Sequence, residues 1–206
     1  MSKVAIIVET RKHKALPFVL NNVLSILSEE WDLQIFHGSN NLDYINEVIS
    51  ENKYLGGRDF FCNDLEIDTI TADDSSLEIM LTEDFWNKVV GETVLYFECD
   101  TMLCSNSEYK VEDFEHFDYI GGYWGNELGM LDNDYTRVMN GGLSIRKKSY
   151  MLDIIKNELQ PYLDSGGNPC EDYFVTDRIR TIPKVRDVLT FSIDCGYMYP
   201  LNNKAP

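Results

Sequence analysis

The sequence predicts an α/β domain with a mainly parallel β-sheet, and three observations support this fold class. Apolar runs alternate with segments of helical periodicity through the first half of the 206-residue chain. These runs are apolar at consecutive positions, which is typical of parallel strands buried on both faces. The hydrophobic fraction of 44% is enough for the core of one domain. We expect residues 1–206 to form one domain, the N-terminal part of a longer polypeptide.

The first half of the chain alternates predicted strands with predicted helices. The strands are residues 4–8, 31–37, 67–71 and 93–97. The helices are residues 15–27 and 42–49, and a third that Ser75 or Ser76 caps and Gly91 ends. This order implies right-handed crossovers between parallel strands. The second half predicts a strand over 143–146, a helix over 149–159, a helix that begins at Asn168-Pro169 and a strand over 191–193.

Polar residues follow the predicted strands at the edge of the sheet where ligands of such folds bind. The carboxyl ends of parallel strands meet at this edge. It brings together the segments Glu9-Thr10-Arg11, His37-Gly38, Ala72-Asp73-Asp74 and Glu98-Cys99-Asp100. We expect Thr10, Arg11 and His37 to contact a nucleotide there, although Arg11 could equally be a solvated charge. Neither a Gly-x-Gly-x-x-Gly fingerprint nor a Walker-type loop follows the first strand.

The charge of the chain excludes some classes of partner. Lys and Arg number 18 against 35 Asp and Glu, which gives a formal net charge of −17. Such a chain is unsuited to nucleic acid and to anionic membranes, and no apolar run is long enough to span a bilayer. The 5 cysteines are scattered without a Cys-x-x-Cys pair, which favours free thiols over a structural zinc site. We therefore expect a cytoplasmic protein.

Glu98 and Asp100 are the candidate metal ligands. They occupy alternate positions at the end of an apolar strand, so their side chains point to the same side and both can reach one cation. Mg²⁺ and Mn²⁺ prefer carboxylate oxygens, and such an ion would neutralise charge on a diphosphate. A solvated strand end explains the pair equally well. Asp73 and Asp74 are a rival acidic pair, which turn and capping chemistry before a helix also explains.

Asn140-Gly141-Gly142 is a more specific signal of a binding site. Paired glycines allow the backbone to approach a bulky ligand, and the Asn140 amide can both donate and accept hydrogen bonds. Trp124 could stack on a sugar ring. The alternatives are a β-turn for the glycines and a core position for Trp124. We predict that these residues line a pocket for the sugar and its acceptor.

Glu171 and Asp172 lie at a predicted helix start. With Asn168 as N-cap and Pro169 at the first helical position, Glu171 would complete a capping box. Capping explains Glu171 and explains Asp172 less well. A carboxylate at a helix start in a cleft can accept a proton from a hydroxyl group. We therefore predict that Asp172 is a catalytic base, with Glu171 beside it in the same catalytic site.

Several motifs, in this order, resemble those of the GT-A-fold glycosyltransferases. They are Val8-Glu-Thr-Arg11, Phe97-Glu-Cys-Asp-Thr-Met-Leu-Cys104, Phe117-Asp-Tyr-Ile-Gly-Gly-Tyr-Trp124, Asn140-Gly-Gly-Leu-Ser-Ile-Arg146 and Glu171-Asp-Tyr-Phe174. The chain also looks like modules in multidomain glycosyltransferases of large algal DNA viruses. The resemblance implies a Rossmann-like nucleotide-binding half with a mixed, mainly parallel sheet, and an irregular half on the acceptor side.

The resemblance also implies a nucleotide-sugar donor, usually a UDP-sugar, and Mn²⁺ or Mg²⁺. It gives the metal box to Glu98 and Asp100, with Cys99 beside the donor, and the base to Asp172. Glu98 replaces the family's Asp, so we expect it to reach the metal through water and Asp100 to bind directly. A late His metal ligand, found in several relatives, has no obvious counterpart here, and Asp194 is the candidate to replace it. The prediction is transfer of a hexosyl or deoxyhexosyl group to a glycan hydroxyl; the alternatives are a nucleotidyltransferase and a non-catalytic nucleotide- or sugar-binding module.

Overall fold

A computed structural model describes residues 2–68, 70, 79–123 and 139–193 of the chain. Its strands are β1 (Lys3–Glu9), β2 (Trp31–His37), β3 (Phe60–Asp64), β4 (Thr93–Phe97), β5 (Tyr119–Tyr123) and β6 (Met139–Lys147). Its helices are α1 (Leu16–Ile26), α2 (Leu42–Ser50), α3 (Glu83–Lys88), α4 (Lys148–Asp164), α5 (Glu171–Thr176) and α6 (Val185–Phe191). A 3-10 helix covers Val111–Phe114.

The strands form one six-stranded sheet in the order β3-β2-β1-β4-β6-β5. β1 pairs in parallel with β2 and β4, and β2 pairs in parallel with β3. β6 is antiparallel to both β4 and β5. The predicted α/β class with a mixed, mainly parallel sheet is therefore confirmed. Within the described residues, no helix combines the length and the apolar character that crossing a membrane requires.

The central strands form because their side chains are apolar on both faces. Val4, Ala5, Ile6 and Ile7 of β1 are completely buried, and burial of each large aliphatic side chain contributes about 1.5–3 kcal/mol. α1 has a proline in its first turn, where no backbone hydrogen bond is lost. Its buried face is Leu16, Val19, Leu20, Val23 and Leu24, at helical spacing. These elements lie where the sequence predicts them, as do β2, α2, β4 and α4.

The predicted strand over residues 67–71 is wrong, because the third strand is β3. β3 lies at the edge of the sheet and is only partly buried, so it lacks the continuous apolar run of a central strand. It ends just before Glu66, which has a φ of 60° in the left-handed region. The Glu66 N–H donates a 2.7 Å bond to Asp64 Oδ1, which stabilises this turn. Residues 67, 68 and 70 lie outside any strand.

The long helix predicted before Gly91 is interrupted. Thr82 is extended, and its Oγ1 accepts a 3.2 Å bond from the Phe85 N–H, so a separate helix, α3, begins there. A hydroxyl cap of this kind satisfies an amide that a continuous helix would have bonded internally. The predicted caps Ser75 and Ser76 lie outside the described residues.

The helix start predicted at Asn168 is also wrong. Asn168 Oδ1 accepts a 2.9 Å bond from the Cys170 N–H, which forms an Asx turn before the helix. α5 begins only at Glu171, so this residue occupies the first helical position and makes no capping box. The strand predicted over 191–193 is wrong as well, because residue 191 ends α6 and Ile193 makes only an isolated bridge.

Candidate functional site

A cavity of about 340 Å³ lies at the carboxyl ends of β1 and β4, which are parallel neighbours in the sheet. Its lining includes five residues that the sequence predicts to bind a donor: Thr10, Arg11, Glu98, Cys99 and Asp100. We call it the donor cavity. The predicted donor residue His37 is buried at the end of β2, where its Nδ1 lies 2.8 Å from the carbonyl oxygen of Gly38. His37 is not among the described residues that line the donor cavity.

The loop after β1 is held in one conformation by buried polar groups. Asn41 is 1% exposed, and its Nδ2 donates bonds of 2.9 and 3.0 Å to the carbonyl oxygens of Glu9 and Arg11. The Glu9 carboxylate accepts two 2.9 Å bonds from the Arg11 guanidinium and a 2.8 Å bond from its backbone N–H. Burial by itself would raise the pKa of Glu9, but these hydrogen bonds outweigh it and lower the pKa below its usual value. The side chain of Glu9 therefore fixes Arg11 at the donor cavity.

The two carboxylates of the acidic box differ in their surroundings. Asp100 is exposed at the donor cavity, whereas Glu98 is partly buried. Glu98 Oε1 accepts a 3.1 Å bond from the hydroxyl of Tyr96. Burial, and next the charge of Asp100, raise the pKa of Glu98. Asp100 is the more accessible ligand for a cation, and a cation near both residues would relieve their mutual repulsion.

Gly142 links the acidic box to the Asn140-Gly141-Gly142 segment. Thr101 Oγ1 donates a 3.1 Å bond to the carbonyl oxygen of Gly142, and the same Oγ1 accepts a 3.2 Å bond from the Glu98 N–H. A Cβ built on Gly142 would lie 3.2 Å from Glu98 Oε2 and 3.0 Å from Asn140 Oδ1. A larger residue would therefore push against the acidic box, which explains the glycine.

Gly141 links the same segment to the Glu171-Asp172 pair. Its N–H donates a 2.9 Å bond to Asp172 Oδ1, and its carbonyl oxygen accepts bonds from Ser144 and Arg146. A Cβ on Gly141 would lie 2.7 Å from both Arg146 Nη2 and Asp172 Oδ1. No side chain fits in this space. The segment is thus hydrogen-bonded to Asp172 at Gly141 and lies beside Glu98 at Gly142.

Arg146 is the buried cation at the centre of this arrangement. Its guanidinium is completely buried, donates to Glu171 Oε1 and to Ser144 Oγ, and lies 4.9 Å above the ring of Tyr96 and 5.4 Å above that of Tyr119. Such a charge is stable inside a protein only when it is paired and hydrogen-bonded. Glu171, predicted to be catalytic, is used here as the partner of Arg146.

Asp172 is a buried carboxyl group beside a second one. It is 7% exposed, and the neighbouring Glu171 Oε2 is buried without a hydrogen-bond partner among the described residues. Burial, and next the Glu171 carboxylate, raise the pKa of Asp172 to about 8. A proton on Asp172 can therefore be shared with Glu171. A carboxyl group with this pKa can exchange a proton near neutral pH.

The structure brings together most of the residues that the sequence singles out, in two adjoining groups around Asn140-Gly141-Gly142. Trp124, Asp194, Asp73 and Asp74 lie outside the described residues. The sequence reasoning did not find Tyr96 or the roles of Glu9 and His13 at the donor cavity. The strand-end rule places Glu9 at this edge, but it does not reveal that the Glu9 carboxylate binds the Arg11 guanidinium.

Comparison with solved structures identifies the fold. The glycosyltransferase GlyE of Streptococcus pneumoniae TIGR4 aligns at a TM-score of 0.53 and 10% identity over 87% of this chain and 44% of that one. The mannosyltransferase PcManGT of Pyrobaculum calidifontis, solved with GDP-Man and Mn²⁺, aligns at 0.54 and 10% over 85% and 50%. HddC of Yersinia pseudotuberculosis aligns at 0.50 and 12% over 78% and 86%. The expected GT-A-like fold is thereby confirmed.

The chain spans about half the length of the two solved glycosyltransferases. Comparison with curated protein sequences gives no match. A family profile described as "Protein of unknown function (DUF5672)" matches residues 60–206, which is more than half of the chain. The chain therefore belongs to the DUF5672 family.

Proposed function

We propose that this domain is a metal-dependent glycosyltransferase that moves a sugar from a nucleotide-sugar, a UDP-sugar, to a glycan hydroxyl. One observation carries the proposal: Gly141 hydrogen-bonds the Asp172 carboxyl group, and its neighbour Gly142 lies so close to Glu98 that a Cβ on it would be 3.2 Å from Glu98 Oε2. A metal-bound leaving group and a proton acceptor would then lie on either side of the same pocket. The shared fold with known glycosyltransferases supports this assignment.

The charges of the donor cavity support a requirement for a divalent cation. Its described lining includes the carboxylates of Glu9, Glu98 and Asp100 and one guanidinium, that of Arg11. A nucleoside diphosphate would add further negative charge, so its binding requires a compensating cation. Hard carboxylate oxygens suit Mn²⁺ or Mg²⁺. Asp100 would hold the ion directly and Glu98 through water, and the bound ion would neutralise the departing diphosphate.

Asp172 is the proposed base of a reaction that inverts the anomeric carbon. The acceptor hydroxyl gives its proton to the Asp172 carboxylate, and its oxygen forms a bond to the anomeric carbon. The bond from that carbon to the donor phosphate breaks, and the nucleoside diphosphate leaves with the electron pair. Because its pKa is raised to about 8, Asp172 must release its proton before this step. If the reaction retains configuration, Asp172 positions the substrates instead.

We assign Glu171 a positioning role in place of the catalytic one. Its carboxylate is completely buried and paired with Arg146, so it is not available to a substrate. Asn140, Gly141 and Gly142, with Trp124, are proposed to line the pocket for the sugar and acceptor. Further domains of a longer polypeptide, as in viral multidomain glycosyltransferases, and a cytoplasmic location belong to the same proposal.

The experiment is an assay of nucleoside diphosphate release from a panel of nucleotide-sugars with Mn²⁺, on the parent and on Asp100→Asn. Loss of the ligand should lower metal-stimulated turnover by at least about 100-fold, because a bound cation contributes several kcal/mol to stabilising the leaving group. Asp59→Asn is the matched control. Asp59 is an exposed acid just before the amino end of β3, whereas the donor cavity lies at the carboxyl ends of the strands. This control should keep parental turnover.

Three outcomes would contradict the proposal. Equal turnover by Asp100→Asn and the parent would remove the metal-box assignment. Release of pyrophosphate from a nucleoside triphosphate and a sugar phosphate would identify a nucleotidyltransferase. Binding of nucleotide-sugars without turnover, in the presence of glycan acceptors, would identify a non-catalytic binding module.

A further inference from the structure

Three side chains of different chemistry gather in the donor cavity, apart from the acidic box. Glu9 ends β1, His13 lies in the loop before α1, and Cys99 follows β4. Each offers one ligand atom, and these atoms all lie within 4.8 Å of one another. All three residues line the donor cavity; Glu9 and Cys99 are themselves buried, and His13 is the most exposed of the three.

We propose that Glu9, His13 and Cys99 form a zinc-binding site in which Zn²⁺ competes with the nucleotide donor. Sulfur, imidazole nitrogen and carboxylate oxygen are the ligand types that Zn²⁺ takes in proteins. Three protein ligands leave a fourth tetrahedral position for water, as in open zinc sites. Only the competition with the donor rests on the proposed function. The site differs from Glu98 and Asp100, whose oxygens suit harder ions such as Mn²⁺.

The existing contacts of the cluster can be exchanged for a metal ion. The Glu9 carboxylate is 3% exposed and already ionised, and it accepts a hydrogen bond from the Cys99 thiol as well as those from Arg11. The Arg11 side chain is 56% exposed, so it can return to solvent when zinc replaces it. The His13 Nδ1 accepts one long bond of 3.3 Å from the Ala15 N–H, which holds its ring only weakly.

The exchange balances in charge and atoms. The Cys99 thiol loses its proton to solvent and the thiolate binds Zn²⁺, while Glu9 exchanges the Arg11 guanidinium for the metal. Arg11 then no longer occupies the position in which Glu9 fixes it. Arg11 is a predicted contact of the nucleotide, so its release from this position should weaken the binding of the donor. The zinc ion would also occupy part of the donor cavity.

Cobalt provides a direct readout that does not depend on enzyme activity. Metal-free protein is titrated with Co²⁺, and the thiolate-to-cobalt charge-transfer absorption is followed and then displaced with Zn²⁺. The parent should show the band, and Cys99→Ser should lack it. His13→Asn should bind cobalt at least about tenfold more weakly. Removing a group that only supports a metal ligand already lowers metal affinity by about tenfold or more, and removing the ligand itself should lower it at least as much. Cys104→Ser is the matched control, because this free cysteine is exposed on the same segment, and it should keep the band.

The outcome of a second variant separates this site from the proposed function. Asp100→Asn should keep the cobalt band, because its carboxylate is not part of the cluster. In the parent, Zn²⁺ should weaken nucleotide-sugar binding measured with Mn²⁺, and Cys99→Ser should lose this effect of zinc. If no nucleotide-sugar binds at all, the proposed function fails while the cobalt titration still tests the site. Absence of the band in the parent, or its persistence in Cys99→Ser, would overturn the zinc proposal.

Discussion

Asp172→Asn should make the domain increasingly more stable than the parent as the pH rises. In the folded parent, burial and the Glu171 carboxylate raise the pKa of Asp172 to about 8, whereas an unfolded chain has the ordinary Asp value near 3.9. The protonated carboxyl group therefore contributes stability that is fully present below about pH 4 and is lost as the pH rises through about 8. The asparagine side chain does not titrate, so it avoids this loss.

The magnitude follows from the width of this pH window. Each pH unit between the unfolded and folded pKa values removes about 1.4 kcal/mol from the parent, so the total loss is on the order of 5 kcal/mol. The asparagine oxygen can still accept the bond that the Gly141 N–H donates to Asp172. Its amide group can also donate to Glu171 Oε2, a buried oxygen for which the described part of the chain offers no other partner. The variant should therefore keep the native contacts of the site.

The assay is urea unfolding of the parent and Asp172→Asn at several pH values between 5 and 9, with chelator present so that no metal shifts the titration. Asp177→Asn is the matched control, because it removes the same charge from an exposed position at the end of α5. Its difference from the parent should stay nearly constant over this range. A constant difference for Asp172→Asn, or a parent that gains relative stability as the pH rises, would refute the reasoning.

Two further substitutions test the contacts around the buried arginine. Gly141→Ala should destabilise the domain by about 1–3 kcal/mol, since its Cβ would meet Arg146 and Asp172 at 2.7 Å. Gly56→Ala, where a Cβ meets nothing within 4 Å, should be neutral or slightly stabilising, and equal melting temperatures of the two variants would contradict the contact. Arg146→Met should cost about 3–5 kcal/mol in urea unfolding, because Glu171 is left buried without its cation. Arg146→Lys should have a stability between those of the parent and Arg146→Met. If Arg146→Met were as stable as the parent, the pairing of Arg146 with Glu171 would be disproved.

The sequence predicts the central elements of the fold because burial on both faces leaves an unmistakable pattern. β1, β2 and β4 are continuous apolar runs, and they lie at the predicted positions in the structure. β3 lies at the edge of the sheet and is only half buried, so it lacks a continuous apolar run. The sequence therefore indicates a strand at residues 67–71 more strongly than at β3. The Thr82 cap and the Asx turn at Asn168 are local hydrogen bonds that compete with the helical pattern, and periodicity alone does not reveal them.

The candidate site could be predicted only where topology determines proximity. The strand-end rule brings Thr10 and Arg11 to the same cavity as Asp100, because β1 and β4 are parallel neighbours. Arg146 and Glu171, which form an ion pair, are 25 residues apart in the chain, and no local sequence pattern links them. Helix capping therefore explains Glu171 adequately in the sequence, whereas in the structure its carboxylate forms the buried ion pair with Arg146.

The central claim is that Asp100 holds a divalent cation through which the donor diphosphate binds. Calorimetric titration of the parent and Asp100→Asn with UDP-sugars and GDP-sugars, each with Mn²⁺ and with chelator, tests it most directly. The parent should bind a nucleotide-sugar tightly only when Mn²⁺ is present, and Asp100→Asn should lose this metal-dependent binding while its melting temperature stays close to that of the parent. Equal binding with chelator, or undiminished Mn²⁺-dependent binding by Asp100→Asn, would contradict the claim.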